Sequence, residues 1–112
     1  MTQKRKTEKT GLWNPPEWMS DGAKAIWHRA GPKLVAEGIL QPLHFIWFAI
    51  FCTQYNHVQE WKRGATTAGT AEERAIYVEL EEEGREALNE MLSEIGCDSE
   101  SEFMKRFMQA VQ

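Results

Sequence analysis

Cysteine, histidine and clustered carboxylates are the side chains in this 112-residue chain that could carry covalent, acid–base or metal chemistry. Cys52 and His57 form the nearest thiol–imidazole pair, five positions apart in one apolar stretch. At helical spacing they project from different sides, so they do not make a nucleophile–base dyad. Glu81, Glu82 and Glu83 point in three directions and form no metal site by themselves. The Gly-rich phosphate loop ending in Lys-Ser/Thr, the His-Glu-x-x-His pair and the Cys-x-x-Cys pair are all missing. No catalysis, cofactor or metal is therefore expected. The chemistry that remains is electrostatic. Lys4, Arg5, Lys6 and Lys9 stand against Glu8 alone, a net of +3 in the first ten residues. An arm of this kind neutralises phosphates without reading sequence, and its contribution falls steeply with salt. Lys24, Arg29 and Lys33 are a second basic set that could support it.

The net charge of −4 hides this asymmetry, since residues 11–69 come to +1 and residues 70–112 to −8. A basic arm ahead of an acidic half suggests two different partners, or subunits that attract one another head to tail. At 112 residues and 42% apolar composition, one folded domain with a single modest core is expected. The apolar run Leu43–Phe51 is too short to cross a bilayer, and no apolar stretch follows the basic N-terminus as a signal peptide requires. Two cysteines without an export signal read as free thiols in a reducing compartment, so a cytoplasmic address is expected.

The elements that must position these residues are all helical. The chain reads as an all-α domain of about four helices, with a flexible basic arm over 1–12 and a helical core and oligomerisation domain over 13–97. A C-terminal helix over 98–112 completes it. Pro15 and Pro16 hold the approach to the first helix extended, with Trp13, Trp18 and Met19 as apolar anchors and Ser20 as N-cap. That helix runs from about Asp21 to Glu37, with Gly31-Pro32 expected to kink or break it and Gly38 to end it.

The second helix, opened by Pro42 and closed by Gly64, dominates the chain. Leu43, Ile46, Trp47, Ile50, Phe51, Val58 and Trp61 fall on one broad face of it, and Phe45, Phe48, Cys52 and Tyr55 on the opposite side. Only the strip through Ala49, Thr53, Asn56 and Glu60 separates them. A helix apolar on most of its circumference must be covered from several directions, and in a short chain other subunits can supply that cover. Phe45, Phe48, Cys52, Tyr55 and Trp61 are accordingly the candidate oligomer interface.

Thr70 and Glu73 begin a third helix with a capping-box pattern, and Tyr77, Leu80, Gly84, Leu88, Met91 and Ile95 make its seam. Gly84 in that seam predicts a close approach to the second helix. Gly96 stops the third helix, and Ser99 with Glu102 predicts the start of the last. On that last helix Phe103, Phe107 and Met108 are the candidate partner-docking residues, with packing back on the core as the alternative.

Residues 15–63 resemble the phage terminase small subunits, in particular the short, all-helical family related to those of lambda-like tailed phages. The carrying residues are PPEWMS, then AKAIWHRAGPKLVAEGIL, then the helix that reaches Tyr55 and Trp61; LNEMLSEIGCDS is similar to the family's closing stretch. His44 stands where the family often has an acid, and ATTAGT replaces its His-Pro element between the second and third helices. The resemblance implies a non-catalytic packaging factor that assembles as a ring of more than two copies in the host cytoplasm. It also implies binding of double-stranded viral DNA and its delivery to a large subunit that supplies ATPase and nuclease. On this reading Lys4, Arg5, Lys6 and Lys9 contact the DNA backbone, with Lys24, Arg29 and Lys33 in support. Phe103, Phe107 and Met108 dock the large subunit.

Two alternatives stand beside it. A dimeric transcriptional regulator requires a polar recognition helix, whereas the first turns of the second helix read Leu43, His44, Phe45, Ile46 and Trp47. A helical protein–protein adaptor predicts no salt-sensitive DNA binding at all.

Overall fold

Ser20 starts the first helix as its spacing predicts, its side chain accepting a hydrogen bond from the Ala23 amide at 3.2 Å. The computed structural model describes residues 14–97 and 101–112, so the arm residues and the Ser99 cap lie outside the described residues. Helix α1 spans Asp21–Ala36. A 3₁₀ turn follows at Pro42–His44, then α2 at Phe45–Thr67, α3 at Ala71–Glu94 and α4 at Glu102–Val111. The described residues are helical throughout their regular elements, and α2 and α3 form a long antiparallel hairpin.

Three local expectations are corrected. The first helix is neither broken nor ended at Gly31-Pro32 but runs through to Ala36. Pro32 removes the amide that would bond the His28 carbonyl, yet both residues face solvent, where water can serve that carbonyl. Gly31 lies on the inner side, where an added Cβ would sit 3.4 Å from the Phe48 ring. Helix α2 does not stop at Gly64 but continues to Thr67. There glycine provides room rather than a stop, because a Cβ would come within 2.7 Å of the Tyr77 ring. The last helix is capped by Ser101, whose side chain accepts from the Met104 amide at 3.3 Å.

Other signals act as their chemistry predicts. Thr70 caps α3 by accepting from the Glu73 amide at 3.1 Å. Gly38 and Gly96, with φ of 75° and 76°, turn the chain after α1 and α3 in the left-handed region that side chains disfavour. Gly84 brings α3 against α2, where a Cβ would meet Val58 Cγ2 at 2.6 Å and Trp61 Cζ3 at 2.9 Å. Leu88 and Leu92 continue that buried seam.

The core gathers around the first half of α2. Trp27 of α1 packs edge-on against Phe45 and tilted against Phe48, both at 5.2 Å between ring centres. Phe51 stacks on Trp47 at 5.0 Å and meets Phe107 of α4 edge-on at 5.1 Å. Trp47 Nε1 donates to the Met91 carbonyl at 3.0 Å and fastens the base of the hairpin.

Candidate functional site

Helix α2 is the one element every other helix leans on, so the arrangement around its circumference decides which surfaces are free. Helix α3 takes the side of Trp47, Val58 and Trp61. Helix α1 takes the side of Phe48 and Asn56, the latter abutting Gly22. Helix α4 takes the side of Phe51 and Tyr55, with Tyr55 edge-on to Phe107 at 5.0 Å. One direction is left over. Along it Leu43, Ile46 and Ile50 are 79%, 55% and 48% exposed. The same strip continues toward the hairpin tip with Thr53, His57 and Glu60, which are polar.

This corrects the expected oligomer interface. Phe48 and Cys52 are fully buried by this chain's own α1 and α4, so neither offers a surface to a neighbour. Phe45, Tyr55 and Trp61 are half-buried against Trp27, Phe107 and the Gly84 crossing respectively. The second apolar side of α2 is covered from within.

Of the two expectations for the last helix, Phe103 and Phe107 follow the alternative of packing back on the core. Phe103 and Phe107 stack on each other at 5.9 Å and lie in the core, 3% and 0% exposed. Met108 is half-buried, its sulfur 3.8 Å from the Tyr55 hydroxyl. On the outside, Arg106 pairs with Glu102 at 2.7 Å and with Glu37 at 2.8 Å. The Arg106 guanidinium holds the Glu102 carboxyl below its ordinary range, chiefly through that hydrogen bond.

Of the basic residues, Lys4, Arg5, Lys6 and Lys9 lie outside the described residues. Arg29 and Lys33 are exposed neighbours one turn apart on α1, whereas Lys24 lies about 140° round the helix from Arg29. Arg29 also donates to the Val111 carbonyl at 3.4 Å. The three cations are therefore not brought to one face.

Cys52 and His57 are separated as the helical spacing requires: His57 is exposed beside Trp61, and Cys52 is buried. Burial pushes the Cys52 thiol well above its ordinary range, which suits a packing residue and not a nucleophile. Among the described residues no three His, Cys, Asp or Glu side chains are grouped to hold a metal. None of their helices is long and apolar enough to cross a membrane.

Sequence reasoning missed that Leu43, Ile46 and Ile50 are the apolar residues left outside. The signal available was their polar continuation through Thr53 and His57 at the same helical position. It also missed which acids border them. Viewed down the hairpin, α4 lies on one side; on the other, the register set by Trp47–Met91 and Gly84–Val58 puts Glu94 and Glu90 of α3 level with Ile46 and Ile50, and Glu83 farther along beside the polar continuation at His57. These three carboxylates make no ion pair among the described residues.

No family model matches this chain, and neither the curated proteins nor the solved structures provide a match.

Proposed function

We propose that this chain is a non-catalytic, oligomeric packaging factor of the terminase small-subunit type. It binds viral DNA in the host cytoplasm and delivers it to a large subunit carrying the ATPase and nuclease. The observation that carries the assembly part of this reading is the Leu43–Ile46–Ile50 stripe, apolar and open to solvent on the helix at the centre of the fold. The residues of the resemblance, from PPEWMS to Trp61, carry the assignment to packaging. DNA contact rests on Lys4, Arg5, Lys6 and Lys9, with Arg29 and Lys33 as the adjacent exposed pair.

The second reading is an adaptor that binds protein alone. The acids beside the stripe and the dispersion of Lys24, Arg29 and Lys33 favour it. Absolute mass by light scattering, on the protein alone and with a DNA duplex, separates the two. An assembly above a dimer in either condition supports the packaging factor. A monomer in both, with no duplex bound, favours the adaptor, and a dimer in both keeps the regulator. Replacing Lys4, Arg5, Lys6 and Lys9 by alanine flattens the salt dependence of DNA affinity by about four phosphate contacts if the arm acts as proposed.

A further inference from the structure

We infer that in the DNA-free chain the stripe of Leu43, Ile46 and Ile50, with Glu83, Glu90 and Glu94 beside it, is the docking surface for the chain's own residues 1–13. The surface and the segment match in chemistry. The stripe is apolar and 48–79% exposed. The carboxylates next to it have no cationic partner among the described residues. Residues 1–13 carry Lys4, Arg5, Lys6 and Lys9 and end in Leu12 and Trp13, so they supply positive charge for the carboxylates and apolar side chains to cover the stripe.

Charge argues against a two-fold occupant. A second copy laid with its own copy of this face on the stripe would oppose Glu83, Glu90 and Glu94 to themselves, which a head-to-tail contact through a different face would not. The basic residues near the hairpin tip do not relieve this, because Lys62, Arg63 and Arg74 project away from that face at helical spacing.

The reach is sufficient. Helix α1 begins where Gly22 abuts Asn56, about 9 Å of helix axis from Ile50, and residues 14–20 separate that point from the segment by at most about 23 Å of chain. Thirteen residues span up to about 43 Å when extended. Being tethered, the segment also has an effective concentration that a free partner must exceed.

One consequence rests on the proposed function. If DNA phosphates are the arm's other ligand, DNA and the acidic, apolar face compete for the same cations. DNA binding then uncovers the stripe for a head-to-tail contact with a different face of a neighbouring copy.

Disulfide trapping in the full chain tests the docking. In a Cys97→Ser background, Thr10→Cys is combined with Ile50→Cys, or with Val78→Cys as a control. Val78 is comparably exposed, at 40%, but lies on the opposite flank of the hairpin. The expected result is intramolecular cross-linking at least about ten-fold faster to position 50 than to position 78 at low salt. That preference should vanish at about 0.5 M salt, where exposed charges are screened, and also when Lys4, Arg5, Lys6 and Lys9 are replaced by alanine. Equal rates at the two positions overturn the proposal, and so does a covalent dimer as the main product. If the preference is present but a DNA duplex neither binds nor slows trapping, the docking stands and the DNA-binding reading fails alone.

Discussion

Truncating Phe107 to alanine separates a core helix from a docking helix. Phe107 is fully buried and meets Tyr55 at 5.0 Å, Phe51 at 5.1 Å, Phe103 at 5.9 Å and Phe48 at 6.3 Å. Removing the ring strips the apolar contacts from all four partners and leaves a cavity that the surrounding rings close only in part. Buried Phe→Ala changes of this kind cost about 3–5 kcal/mol. That is a large share of the roughly 5–15 kcal/mol that holds an ordinary domain together. For a chain of this size it corresponds to a fall in Tm of roughly 12–30 °C. Urea unfolding followed by far-ultraviolet circular dichroism reads the effect as a lower midpoint with an unchanged slope. A loss below about 0.5 kcal/mol, the range of surface substitutions, would refute the core assignment and restore Phe107 to an exposed docking face. A reduced slope would instead mark α4 as a separate, weakly attached unit.

Two further outcomes follow from the same packing. Gly84→Ala gains about 1 kcal/mol in helix propensity but drives a methyl group against Val58 and Trp61. Overpacking of that kind costs about 1–3 kcal/mol, so a net loss of up to about 2 kcal/mol is expected by chemical denaturation. Gly69→Ala, with open space around its Cβ position, is the control and should be neutral or stabilising by up to about 1 kcal/mol. Thiol titration of the native protein should modify Cys97 alone, since Cys52 is fully buried and its thiol is pushed up by that burial. Rapid reaction of both thiols before unfolding would contradict the arrangement of α1 and α4 around α2.

How far the residue order discloses this architecture depends on the range of the interaction involved. Caps are short-range: Ser20 and Thr70 each bond an amide three residues on, and their neighbours alone determine that. Gly84 was legible because a glycine inside an apolar seam has few uses other than close approach. Gly64 was not, because its neighbours on either side do not distinguish a stop from a crossing. Its role depends on Tyr77, thirteen residues later, folding back over it. The same limit applied to α2. Its composition shows that several partners must cover it, yet not which partner takes which side. Sequence alone assigns Phe48 and Cys52 to neighbouring subunits because nothing local says that both are buried within the chain, Phe48 against the returning Phe103 and Phe107.

Once α1, α3 and α4 are in place, three directions around α2 are filled by the chain itself, and the function of the fourth becomes a question of charge. Leu43, Ile46 and Ile50 alone would suit any apolar surface. The carboxylates of Glu83, Glu90 and Glu94 narrow that choice, because an occupant without positive charge would bring no favourable interaction to them and one with negative charge would be repelled. DNA cannot lie there. The face therefore belongs to a basic polypeptide, and the chain carries one of suitable length and composition in its first thirteen residues. If the arm also binds DNA phosphates as proposed, both of its contacts draw on one set of cations, and salt should weaken the arm's hold on each.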